Sequence, residues 1–421
     1  MKKVDIKGKI GGVLNPGEKY TEGFKLISKY RSAIMGFAAL WILFFHEWCV
    51  ISTKPVPNHL ETRFVRFGYG GVDIFFLLSG IGLTYAIQKS NLITFYYRRL
   101  KRLILPFLTI AFIRMHLESW TMDGLIDDIT GRGFYKISIY CFLWFVPAIV
   151  TFYIFFPIYW KIFKVVGPYI CTVSALIIWL LWTLSVKDTL RGDLFGFTNR
   201  IPVFLIGIFI GYLTQTRGAL KFRRRAYLPI ALGFWLGLRF LELTNFWNYF
   251  LLVPTSNCCI PTLLVAVTLP FLMAKALNEL ECHKGFCVIG HILTGVLKWF
   301  GGFSLELYCL QEWFANTVLP DMREKGWSDL KVNLVLFSMI IVISFVGSVV
   351  FKYFWRLIEL PFRKYVFTGP RKVRKPAFEA KADDVVITDN GAQMLSDTAD
   401  RIEAAVERLE KAAEKISKTA K

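Results

Sequence analysis

Long apolar runs separated by short polar or basic stretches set the pattern of this chain. Ten runs stand out, at residues 33–51, 70–88, 103–118, 140–160, 167–185, 201–216, 227–241, 260–277, 300–318 and 332–351. A bilayer core about 30 Å thick needs roughly 17 to 25 mostly apolar residues per helix. Several runs are short or contain Gly and Pro, which membrane helices tolerate where neighbouring groups satisfy the freed backbone. They are too long and too continuously apolar to be the buried strands of a soluble α/β protein. The pattern predicts an all-α polytopic membrane protein with about ten transmembrane helices.

Charge then orients the runs. The first 31 residues carry Lys2, Lys3, Lys7, Lys9, Lys19, Lys25, Lys29 and Arg31. With that end in the cytoplasm, even-numbered runs lead into RRLKR (98–102), KIFK (161–164), RGALKFRRR (217–225) and RKYVFTGPRKVRK (363–375). The opposite loops are mostly poorer in Lys and Arg, as the positive-inside rule asks when both termini are cytoplasmic. Topology therefore accounts for most of the formal charge of +20. Nucleic-acid binding is not expected, because no exposed basic face or recognition element is visible. The first 30 residues also lack the apolar core and small-residue cleavage site of a signal peptide.

Composition changes after Pro370. The chain divides into a cytoplasmic segment (1–30), a membrane domain (31–366), a charged linker (367–392) and an amphipathic or coiled-coil-like cytoplasmic helix (393–421). In the last, Leu395, Ala399, Ile402, Val406, Leu409, Ala413 and Ile416 alternate spacings of four and three, a heptad seam. That helix would dock on the membrane domain, pair with a second copy as a homo-oligomer, or be an added tail. Of the eight cysteines, Cys49, Cys141, Cys171 and Cys309 read as small hydrophobes. CHKGFC with a later His291 matches structural zinc spacing poorly, so no metal is expected.

Against this apolar background the ionisable residues carry the chemistry, since charge at membrane depth is costly and usually has a partner or a task. His46 and Glu47 end the first run. A neutral imidazole accepts a hydroxyl proton near pH 7, which makes His46 the candidate general base. Met35, eleven residues earlier, shares its face about 16 Å away, and Arg31 extends that face by a turn. Arg31 can reach inward or snorkel to the surface. Asp73 lies just inside the second run and can pair with an Arg or a His. Glu306 sits within the ninth, where a membrane-embedded acid points to a polar cavity. Arg98, Arg99 and Arg102 bring guanidinium forks suited to phosphate. Acids, amides and aromatics in the loops at 119–139 and 242–259 suit a sugar surface or an interfacial aromatic belt.

Seven stretches, in this order, resemble the membrane acyltransferase-3 superfamily: MGFAALWILFFH, GYGGVDIFFLLSG, FYYRRLKRLILPF, LWFVPAIV, NRIPVFLIGIFIGY, FSLELYCLQEW and IELPFRKY. The resemblance covers roughly residues 28–366. It implies about ten membrane helices, acetyl-coenzyme A as acyl donor, and transfer to an extracytoplasmic glycan or related hydroxyl. The implied setting is a bacterial inner membrane, with lipids as neighbours. The family's Arg-x10-His motif carries its histidine to His46, but its arginine position is Met35 here; Arg31, one turn earlier, is the substitute. Its basic motif maps to Arg98, Arg99 and Arg102, and its GVD acid to Asp73. Gln311 stands where relatives often have His. Two other readings fit the same features: an exporter of a glycan or lipid-linked precursor, and a sensor or scaffold that kept the fold without the activity.

Overall fold

In the computed structural model, residues 23–52, 60–117, 121–135, 143–186, 192–217, 226–246, 249–250, 253–254 and 259–366 are described. The expected linker, the C-terminal helix and residues 1–22 of the N-terminal segment lie outside them. Helices dominate what is described, and one occupies each of the ten apolar runs. They are α1 (Gly23–Glu47), α2 (Leu60–Arg66), α3 (Gly70–Lys89), α4 (Leu92–Leu117), α5 (Met122–Thr130), α6 (Arg132–Tyr135), α7 (Phe145–Val166) and α8 (Pro168–Val186). There follow α9 (Gly192–Thr198), α10 (Ile201–Thr216), α11 (Tyr227–Phe246), α12 (Cys259–Cys282), α13 (Cys287–Gly301), α14 (Ser304–Glu324) and α15 (Asp329–Val366). Between α11 and α12, β1 (Tyr249–Phe250) and β2 (Val253–Pro254) pair antiparallel.

Among the described residues, seven helices are long and apolar enough to cross a bilayer, or eight if α13 and α14 form one bent span. The four basic residues at 98–102 of α4 mark it as a helix with one polar end. The ninth expected run differs most from its expectation. Instead of one helix over 300–318, the chain bends by 66° between α13 and α14. The sequence there is Gly301-Gly302-Phe303, two residues that lower the cost of leaving the helix. Gly301 has a second reason to be there. A Cβ on it would stand 2.0 Å from the Ser32 carbonyl, and one on Gly36 would stand 1.9 Å from the Leu297 carbonyl. Only glycines let α1 and α13 approach so closely.

Helix α1 lies at the centre, packed against α3, α12, α13 and α14. Its Leu26, Ile27, Tyr30, Ile34, Ala38 and Leu43 are all essentially inaccessible. The apolar excess is instead turned outward on α8 and α15, where Ile177, Ile178, Leu181, Val346 and Val350 are exposed. Lipid is the natural neighbour of such faces. The contrast makes α1 the protected element, and the next helices to the site are aligned on it.

Candidate functional site

A cavity of about 90 Å³ runs alongside α1. Its lining falls into three tiers by helical register. At one end stand Arg31, Arg98, Arg99, Arg102, Tyr153 and Ser304; in the middle Met35, Phe75, Leu103, Ile149 and Leu305; at the far end Ile42, Val72, Phe145 and Tyr308. Arg98 and Arg102 are exposed, Arg31 and Arg99 half-buried, and Ile42, Val72 and Tyr308 buried. The arginine end is therefore the mouth. The break before α14 brings Ser304 and Leu305 to the wall, because Gly301 seats against Ser32, next to Arg31.

The basic stretch 98–102 divides in two. Lys101 pairs with Glu359 near the end of α15, and Tyr97 donates to the same carboxylate at 2.8 Å. The sequence offers Arg356 and Arg363 as local partners for Glu359; the structure shows one across the fold. The arginines are different. Among the described residues, no carboxylate lies in ion-pair distance of Arg31, Arg98, Arg99 or Arg102. Arg31 turns inward rather than snorkelling: its Nη2 donates to the Leu78 carbonyl at 3.2 Å, and its Nε is buried without a partner. Arg99 donates to the Gly82 carbonyl at 3.4 Å. The Tyr153 ring stands within electrostatic reach of Arg99, Arg102 and Arg31. Four guanidiniums thus share one opening, a costly arrangement that an anion would relieve.

The far end is built differently. The lining residue of α1 nearest His46 is Ile42, one turn or about 6 Å before it, and His46 is not part of the wall. His46 Nδ1, both oxygens of Glu47 and both amide atoms of Gln311 are buried without completed hydrogen bonds. Glu47 lies against the backbone of Ala315 on α14, one turn beyond Gln311. Buried polar groups without partners are rare and call for an explanation. The chain leaving α1 is fixed firmly. The Asn333 amide accepts from Cys49 N and donates to Cys49 O, each at 2.7 Å. Glu61 accepts from Trp48 Nε1 and Ile51 N, each at 2.8 Å, and from Ser52 N at 3.3 Å. Two side chains from α2 and α15 therefore hold the position of His46.

Asp73 is committed to a partner. Its carboxylate meets Arg200 Nε at 3.5 Å with both side chains buried, and Arg200 Nη1 donates to the Gly196 carbonyl at 2.7 Å. Removing one member of such a pair typically costs about 3–5 kcal/mol. The Arg200 guanidinium also stacks 5.1 Å over Trp144. On the other side of Trp144, Leu143 N donates to Glu312 Oε1 at 3.2 Å and Phe145 N to the Tyr308 hydroxyl at 3.4 Å, while Tyr308 donates to Glu312. Leu143 has a φ of +53°, a left-handed conformation that costs a non-glycine residue about 1–2 kcal/mol. Two buried acids therefore grip one three-residue segment.

The structure brings Arg31, Arg98, Arg99 and Arg102 together. It places Asp73 in the Arg200 pair, and Glu306 beside the wall within reach of the charges of Arg102 and Lys352. His46 stands one layer beyond the cavity. Tyr153 and Tyr308 escape a reading of the sequence, and Glu312, six residues after Glu306 in the ninth run, reads there only as an acid off its stripe. Tyr308 and Glu312 are four residues apart on one helical face, a spacing that pairs them; Tyr153 offers no such pattern. An acyltransferase domain family model matches residues 33–353. No curated protein and no solved structure matches the chain. The matched span contains α2 to α14 whole and most of α1 and α15, with every cavity-lining residue but Arg31, and on that match the chain belongs to the membrane acyltransferase-3 family and is an acyl-transfer enzyme of the membrane.

Proposed function

We propose that the protein moves an acyl group, expected to be acetyl, from cytoplasmic coenzyme A to a hydroxyl of an extracytoplasmic glycan or related surface molecule. Both termini and the arginine mouth face the cytoplasm in this reading, and the protein spans a bacterial inner membrane about ten times. One observation carries it: four guanidiniums converge on a cavity mouth, and among the described residues none has a carboxylate in ion-pair distance. Phosphates of coenzyme A fit that mouth chemically, and the apolar middle tier suits a pantetheine arm. Arg31 supplies the guanidinium that Met35 lacks, since both line the same cavity one turn apart.

His46 takes the proton of the acceptor hydroxyl. The freed oxygen bonds to the thioester carbon, the carbon–sulfur bond breaks, and the coenzyme A thiolate leaves and collects a proton. Enclosure keeps bulk water from competing for the acyl group. The buried polar groups around His46 suit a hydroxyl-bearing acceptor, which would satisfy them.

Purified protein incubated with labelled acetyl-coenzyme A and surface-glycan acceptors should transfer label to the glycan. Flux of a glycan precursor across liposomes without turnover selects an exporter and rejects the reading. The role of Arg31 has its own comparison. R31Q should lose most of the activity and R31Q/M35R should recover part of it; equal activity in the two rejects the turn-shifted arginine.

A further inference from the structure

If the donor enters at the arginines and His46 acts beyond Ile42, the far tier is where the thioester and the acceptor hydroxyl meet. Its side chains then decide whether water reaches the thioester in the absence of an acceptor. Phe145 packs against Tyr308 at 5.4 Å, Phe76 at 5.0 Å and Phe75 at 6.2 Å between ring centroids. It begins α7, so its own N–H and those beside it have no partner within the helix. Side chains of α14 supply acceptors instead: Tyr308 for Phe145 and Glu312 for Leu143. The strained φ of Leu143 persists because these contacts over-determine it.

We infer that Glu312 is a positioning residue: with Tyr308 it fixes the backbone that aims Phe145 across the far end of the cavity, keeping the donor thioester from water. The inference rests on the donor reading above. Glu312 acts here through its oxygen as an acceptor of the Leu143 N–H, not through a proton it takes from substrate. A glutamine oxygen at the same place accepts the same bond; an alanine cannot. Arg200 over Trp144 holds the segment from its other side.

The test needs only acetyl-coenzyme A and water. Hydrolysis adds water oxygen to the thioester carbon and releases acetic acid and the free thiol, which is the readout. Without a glycan acceptor, thiol release should be slow in the unaltered protein and rise severalfold in F145A and in E312A. E312Q should stay near the unaltered rate, and F145L should fall between. Acetyl-coenzyme A affinity, measured in parallel, should be unchanged in E312Q. Thiol release in F145A equal to the unaltered rate overturns the inference, as does E312Q as leaky as E312A. Where E312A does not fold, the F145A and F145L pair decides the matter. Absence of acetyl-coenzyme A binding in the unaltered protein rejects the donor reading, and this inference with it. Binding retained with no change in leakage rejects this inference alone.

Discussion

The two ends of the cavity solve opposite problems. At the mouth, four arginines are exposed or half-buried and crowded, with no carboxylate in ion-pair distance among the described residues, so water and anions reach them. At the far end, Glu47 and Gln311 are buried and His46 is half-buried with its Nδ1 enclosed, and these buried polar atoms complete no hydrogen bonds. Holding an anion demands access and positive charge; handling a proton demands exclusion of water. One layer of side chains, with Phe145 and Tyr308 in it, divides these environments. The difference teaches that affinity and rate should respond to different substitutions.

The sharpest break is at the far end. His46→Ala should lower acyl transfer by about 10² to 10⁴-fold, the usual contribution of a general base. Acetyl-coenzyme A affinity, set at the mouth, should not change. A folded H46A protein that retains full transfer removes His46 from the chemistry. One that loses affinity and rate together denies the separation of the two ends.

The reciprocal break is at the mouth. Each hydrogen bond to a charged group contributes about 1.5–3 kcal/mol, so R98Q and R99Q should each weaken donor binding roughly ten- to hundredfold. Transfer at saturating donor should persist. Unchanged affinity at physiological salt reduces these arginines to anchors for the lipid headgroups.

The two ends also differ in how far the sequence discloses them. Apolar run length locates a helix in each of the ten runs, seven or eight of the described helices being long and apolar enough to cross a bilayer. Three of the four arginines, Arg98, Arg99 and Arg102, are close in sequence, so their convergence is nearly local, while Arg31 joins them from α1. What the sequence leaves undecided is their pairing: Lys101 and the three arginines look equivalent until α15 brings Glu359 to one of them. Asp73 likewise waits for Arg200, 127 positions later, to declare its role. The far end is harder still. A leucine with a φ of +53° has no sequence mark, because leucine seldom adopts it. The partition depends on α7 meeting α14, and helix-to-helix contacts between distant segments leave no periodic trace. The break before α14 was hidden for another reason: two glycines inside an apolar run read equally well as a close crossing, and here they serve both purposes.

The smallest effect should come from the one neutralised cation at the mouth. Glu359 accepts from Tyr97 and pairs with Lys101, both side chains being about a quarter exposed at 25% and 26%. An exposed pair contributes about 0–1 kcal/mol, so E359Q should barely change stability, and its amide oxygen still accepts from Tyr97. Removing the carboxylate nevertheless frees the Lys101 charge beside three unpaired arginines. Donor affinity should therefore rise slightly in E359Q at low salt and return to the unaltered value near 1 M salt, where screening acts over about 3 Å. R98Q shifts affinity the other way. If E359Q weakens binding instead, Glu359 supports the geometry of the arginine helix more than its charge, and the mouth is a shaped site rather than a field.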